Sequence, residues 1–454
     1  MAAAVEEAEA VMAINRSVSN NINLFTGETI MNRKFIKSTT LGMAVILLAC
    51  LPQAEAMIHG ITGTTTFNFT AKTGHIYTGE GGSYLMWGYA DGAGQMQYPG
   101  PTVIVNQGET ITFNLTNTLT VPVSIIFPGQ AGVTASGGTP GLLTQEAAPN
   151  GGTVSYTFTV SQPGTYLYHS GTNCELQIEM GLVGALIVRP AGFDPMMPTA
   201  YGHMDSMYDR EFLFLLTEMD HRVHEQVEQG MMSQIDNATW FPFYWFINGR
   251  NAPDTMLEAH VPWLPNQPYN CMPMMRAGEH LLLRIISAGR DPHPFHTHGN
   301  NFNIIARDGR LLQSAAGAGA DLAVSNFTIT VAPGGTADAV FTWTGEKLGW
   351  DMYGHAPGDP MEPGEYAPDH GKPFPVTLPS AQQLTFGAMW SGSPFLGALG
   401  ALPPGEGGLN PNGGYTYMWH SHAEKEMTNN DIFPGGLMTM IIIEAPSVDI
   451  PMEH

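Results

Sequence analysis

Residues 293–299 read HPFHTHG and residues 420–422 read HSH, so His296 and His298, and again His420 and His422, stand two positions apart. In an extended strand alternate side chains leave by the same face, so each pair aims two imidazoles in one direction. His293 precedes the first pair by three residues, and a glycine-rich turn follows each pair. Imidazole is largely uncharged at neutral pH because its ordinary pKa lies below seven. Two such pairs facing each other would supply four nitrogen donors, a set suited to copper or zinc.

Donors in that arrangement need strands to hold them, and the chain carries a degenerate repeat that supplies strands twice. The first copy runs PGPTVIVNQGETITFNLTN, VSIIFPG, GTYLYHSG and MGLVGALIVRP, ending at Pro190. The second runs MMRAGEHLLLRIISAG, HPFHTHG, YTYMWHSH and PGGLMTMIIIEAP, ending at Pro446. Alternating or β-branched runs bounded by Gly, Pro and Asn turns predict strands, and two copies predict two β-sandwich domains. The expected organisation is a first domain at 57–190, a linker at 191–210, a second domain at 211–446 and a tail at 447–454. The second copy is longer, and a Pro/Gly-rich insertion at about 355–414 carries much of the excess. HRVHEQVEQG from His221 is one of few stretches with helical character.

Bulk composition sets limits on function. Of 454 residues, 43% are hydrophobic and only 13% charged, which describes a folded chain; 53 Gly and 34 Pro favour short strands and many turns. With 17 basic against 40 acidic residues the formal charge is −23, which excludes nucleic acid as a partner and favours solubility or the attraction of metal cations. Residues 31–56 have the form of an export signal. Arg33, Lys34 and Lys37 are its basic region, Leu41 to Leu51 its apolar run, and Ala54-Glu55-Ala56 its cleavage site. Met31 is then the expected start and residues 1–30 an over-extended reading frame; LLAC, ending at Cys50, also suits a lipid anchor. The destination is the periplasm, the cell surface or the medium, with no transmembrane segment after cleavage. Cys174 and Cys271 remain in the mature chain and could form one disulfide there.

Together, PGPTVIVNQGETITFNLTN, GTYLYHSG with LQIEMGLVGALIV, INGR, HPFHTHG, and WHSH with PGGLM resemble the multicopper oxidases, in particular their two-domain members, over most of residues 80–446. The resemblance implies an all-β fold of two Greek-key cupredoxin-like sandwiches, with copper as cofactor. It aligns His293 with a type 1 copper ligand, His296 with the type 2 ligand, and His298, His420 and His422 with type 3 ligands. His169 matches the retained half of a further motif. Five positions depart from the family pattern: Ile126, Pro128 and Gly171 stand where histidines belong, Ser421 where a cysteine does, and Glu426 where the second type 1 histidine does.

Those departures change the expected chemistry. A serine hydroxyl stays protonated at neutral pH, so Ser421 forms no copper–thiolate bond and carries no electrons to the flanking histidines. What remains is a site for one or two metal ions on His296, His298, His420 and His422, with His169 as auxiliary. Glu424 and Glu426 are either oxygen donors, hydrogen-bond partners of the histidines or solvated carboxylates. Some two-domain relatives build the cluster between subunits of a homotrimer, an arrangement that would set His169 against the histidines of another chain. Met272, Met274 and Met275 read as packing residues, and His355 and His370 as loop histidines of the insertion. The residues thus leave two functions open. One is an exported copper-binding protein with limited oxidoreductase chemistry. The other is a non-catalytic copper-binding, buffering or structural protein of the cell envelope.

Overall fold

A computed structural model of the protein describes residues 58–373, 392–395, 414–446 and 448–450. The expectations for residues 1–30, the export signal at 31–56, Cys50, and parts of the insertion and tail fall outside the described residues.

Period-two alternation builds the first sandwich. Along Thr66–Tyr77 the side chains of Phe67, Phe69 and Ala71 turn inward, as do Ile111, Phe113 and Leu115 along Thr110–Asn117. These strands run parallel, Phe69 opposite Leu115, inside a five-stranded sheet. Against it lies a three-stranded sheet ordered Gly100–Asn106, Val183–Arg189, Gly164–His169. Between the sheets Phe69, Phe113, Phe158 and Tyr168 form an aromatic core, each such burial contributing roughly 1.5–3 kcal/mol.

The second sandwich repeats the plan with larger sheets. Arg210–Met219 runs parallel to His280–Ser287 in a seven-stranded sheet, Phe214 opposite Ile285. The facing six-stranded sheet contains Met438–Glu444, Gly414–Ser421, His293–Thr297 and Thr328–Val331 as consecutive neighbours. Every residue of Gly414–Ser421 and of Met438–Glu444 is buried, the polar Thr416, His420, Ser421, Thr439 and Glu444 included.

The two sandwiches share a third core in which Leu167, Ala185 and Ile187 meet Leu213, Leu215 and Phe246. Helix His221–Glu228, capped where the Asp220 carboxylate accepts from Arg222 N–H, adds Val223 and Val227 to the first-domain core. Cys174 and Cys271 are both free. The Cys271 thiol donates to the Ile247 carbonyl at 2.9 Å and the Cys174 thiol to that of Ser170 at 3.3 Å, so the disulfide allowed by the sequence does not form. Among the described residues no helix is long and apolar enough to cross a membrane.

Candidate metal centre

His293–Thr297 pairs antiparallel with Gly414–Ser421 in a register that sets His296 directly opposite His420. On its other edge Thr328 stands opposite His296, and the Thr328 hydroxyl bonds His296 Nδ1 at 2.7 Å. Just past the strand, Gly299 turns with φ 99°, and an added Cβ would sit 2.9 Å from the Tyr417 ring. Glycine alone meets both demands. The chain so held brings the His298 ring to 4.9 Å from that of His296 and 5.2 Å from that of His420.

Three of the expected ligands therefore converge. Donor nitrogens of His296, His298 and His420 lie within 4.8 Å of one another, and all three residues are buried. His422 is exposed at the rim, its ring 4.8 Å from that of His296 and 5.4 Å from that of His420. His420 Nδ1–H donates to the Ser421 carbonyl at 2.7 Å. A carbonyl only accepts, so this bond leaves His420 Nε2 as the free donor nitrogen, 3.2 Å from His298 Nε2. Two imidazoles on one tetrahedral ion at metal–nitrogen distances of 2.0–2.1 Å place their nitrogens about 3.3 Å apart, so the donor set fits copper or zinc. Burial, and then the neighbouring His422, push the His296 pKa down to about 4. Burial likewise holds His420 near 4, against the opposing pull of the Ser421 carbonyl. Both rings keep their lone pairs at neutral pH.

His293 does not join them. Its Nε2 bonds Glu218 Oε2 at 2.9 Å and its Nδ1 bonds Glu426 Oε2 at 3.0 Å, with the ring fully buried. Burial alone would lower its pKa, but the two carboxylates outweigh it and raise the value to about 9. With both ring nitrogens engaged by carboxylates, His293 stands apart from the three converging histidines in this arrangement. Ser421 completes this group by donating to Glu426 Oε2 at 2.6 Å. The three positions aligned with type 1 ligands thus meet in space around a proton. Glu426 is a hydrogen-bond partner of His293, while Glu424 is exposed in the turn Glu424–Met427.

His169 ends strand Gly164–His169 in the first sandwich and, among the described residues, makes no ring contact with the other histidines. Its Nδ1–H donates to the Ser170 carbonyl at 2.9 Å, repeating the bond that fixes His420. Beside it, a Cβ at Gly171 would lie 2.6 Å from Ile126 Cγ2. The aliphatic side chain at one departed position fills the space of the other. Met275 belongs to the main second-domain core, and Met272 and Met274 pack on a cluster with Met256, Met418, Met438 and Met440.

A second convergence lies where the chain enters the insertion: Asp351, His355, Glu365 and His370 each bring one donor atom within 4.8 Å of the rest. His355 and His370, expected as plain loop histidines, meet two carboxylates here; loop donors follow no period, so spacing alone does not disclose the group.

Two segments match families described as multicopper oxidase, at residues 86–192 and 250–347. A probable nitrite reductase-hydroxylamine oxidoreductase fusion protein of Kuenenia stuttgartiensis is 25% identical over 258 residues, 56% of this chain and 26% of that protein. An L-ascorbate oxidase of Cucurbita pepo var. melopepo is 34% identical over 166 residues, 36% of this chain and 28% of the oxidase. The chain thus spans about a quarter of the length of these relatives. Among solved structures, the blue copper oxidase of Nitrosomonas europaea superposes with a TM-score of 0.52 at 20% identity, covering 83% of this chain and 85% of that one.

Proposed function

The chain belongs to the multicopper oxidase family, and from that premise we propose that it is an exported copper-binding protein without a type 1 centre, holding a reduced copper site on its second-domain histidines. The convergence of His296, His298 and His420 carries this reading. His422 stands at the mouth of the site and Thr328 orients His296 from behind. Copper bound there supplies Lewis acidity or one-electron chemistry. The protein's part is to present neutral imidazoles on rigid strands and to keep water from three of the four rings. His169 of a neighbouring subunit in a homotrimer would add a ligand, and residues 31–56 would direct the chain to the periplasm or cell surface, with Cys50 as a lipid attachment point.

The Ser421–Glu426–His293 network favours a second reading. With that route closed to electrons, the site would bind or buffer copper without turnover, or serve an envelope structure. Copper titration with electron paramagnetic resonance separates the readings. A type 2 copper signal that disappears in His296→Ala and His420→Ala, together with turnover of a reductant by dioxygen, supports the catalytic one. The signal without turnover supports storage, and no copper bound at either variant or wild type sinks both. An intense blue copper–thiolate absorption would overturn the loss of the type 1 centre.

A further inference from the structure

The geometry points to a second metal site, independent of the histidine cluster, in which Asp351, His355, Glu365 and His370 bind one divalent zinc-class ion and staple the loop 351–372. The donors are Asp351 Oδ2, His355 Nδ1, Glu365 Oε1 and His370 Nδ1. His355 Nδ1 lies 3.2 Å from Asp351 Oδ2 and 3.3 Å from Glu365 Oε1; His370 Nδ1 lies 3.8 Å and 2.7 Å from the same atoms. A tetrahedral ion with ligands at 2.0–2.2 Å spaces its donors about 3.3–3.5 Å apart, and these four separations bracket that spacing.

The surroundings are built to hold donors in place. His370 Nε2 lies 2.9 Å from the Asp359 carbonyl, which only accepts, so Nε2 donates there and Nδ1 is the nitrogen turned to the carboxylates. Without a metal, a proton on Nδ1 bridges it to Glu365 Oε1 at 2.7 Å, and a divalent ion bound there would take that proton's place. Asp351 Oδ2 accepts from Gly371 N–H at 2.8 Å, and Glu365 Oε2 accepts from Glu362 N–H at 2.9 Å, leaving Oε1 for the centre. Gly371 has φ 70°, and an added Cβ would meet the Pro357 backbone at 2.9 Å, so a side chain at 371 would push the loop's two strands apart. Asp351 N–H donates to the Lys372 carbonyl and closes the loop. The Asp351 and Glu365 side chains are 1% and 3% exposed, and among the described residues neither pairs with lysine or arginine. A divalent ion balances both buried charges. Two nitrogens and two oxygens with no position left open describe a structural site.

The test loads full-length protein with Zn²⁺ alone and counts ions by mass spectrometry of the metal, for wild type, the double variant His355→Ala/His370→Ala, and the isosteric Glu365→Gln. Wild type should bind one ion more per chain than the double variant, and X-ray absorption of that ion should show two imidazoles with oxygen ligands. Glu365→Gln, which keeps the loop's volume, should weaken the same ion about tenfold or more. Copper binding at His296 and His420 serves as the folding control and should persist in both variants. Equal zinc counts in wild type and double variant, or an imidazole-only shell, would overturn the proposal while leaving the copper reading intact.

Discussion

The proton that His293 shares with Glu218 and Glu426 ties stability to pH. The folded-state pKa of about 9 lies above the unfolded value of 6.5, so the folded chain binds more protons between them. The stabilisation, about 3 kcal/mol, is complete below pH 6.5 and is lost as the pH rises through 9. Urea unfolding of wild type should show that decline from pH 6.5 to 9.5, and His293→Gln should flatten it; an unchanged slope would remove the proton from this account. The same network governs Ser421, whose hydroxyl is spent on Glu426. Ser421→Cys alone should therefore give no blue copper absorption, because Glu426 still occupies the second ligand position and His293 still holds its protons. A copper–thiolate band in that single variant would refute this.

Strands carry these residues to their places, and strand pairing explains which of them the sequence discloses. A period of two aims His296 and His298 one way and His420 and His422 likewise, and the register that sets His296 opposite His420 puts both pairs on one face of the sheet, so the pairs and the sandwiches beneath them are legible in the motifs. Glu218 is not. It lies in Arg210–Met219, in the opposite sheet, and meets His293 only because the sheets stack. Nor does periodicity reach Asp351 and Glu365, since a loop closed by backbone hydrogen bonds repeats no pattern. Register supplies a test of its own. Thr328 faces His296 through the Thr328–Val331 pairing, and a hydrogen bond to a ligand's far nitrogen is worth ten- to a hundredfold in metal affinity. Thr328→Val should lower copper affinity at least about tenfold by isothermal titration while leaving far-ultraviolet dichroism unchanged. Gly289 is the matching position behind Glu218: an added Cβ would fall 1.8 Å from Glu218 Oε2. Gly289→Ala should destabilise the fold by about 1–3 kcal/mol through that overlap, read by urea unfolding.

At the scale of the whole molecule, the two sandwiches are joined by a buried set of charges rather than by apolar contact alone. Glu211 bonds Arg284 Nε at 2.8 Å and also meets Arg189, which belongs to the first sandwich. Arg284 Nη1 reaches back to Thr165 Oγ1 at 3.0 Å, and Thr165 bonds Asp338. Burial opposes ionisation of Glu211, yet the two guanidiniums outweigh it and hold its carboxyl below the usual range. Its contribution is therefore present at neutral pH and lost as the pH falls. Glu211→Gln keeps the shape and removes the charge, leaving Arg189 and Arg284 buried without their shared partner. Breaking a buried pair from one side costs about 3–5 kcal/mol, and here the broken pair spans the domain boundary. Calorimetry should show a lower melting temperature and a single transition resolving into two, as each sandwich keeps its own core but loses its tie to the other. A variant that melts in one transition with a shift typical of a surface substitution, within about 0.5 kcal/mol, would mean that the shared apolar core of Leu167, Ile187, Leu215 and Phe246 holds the domains together without the charges.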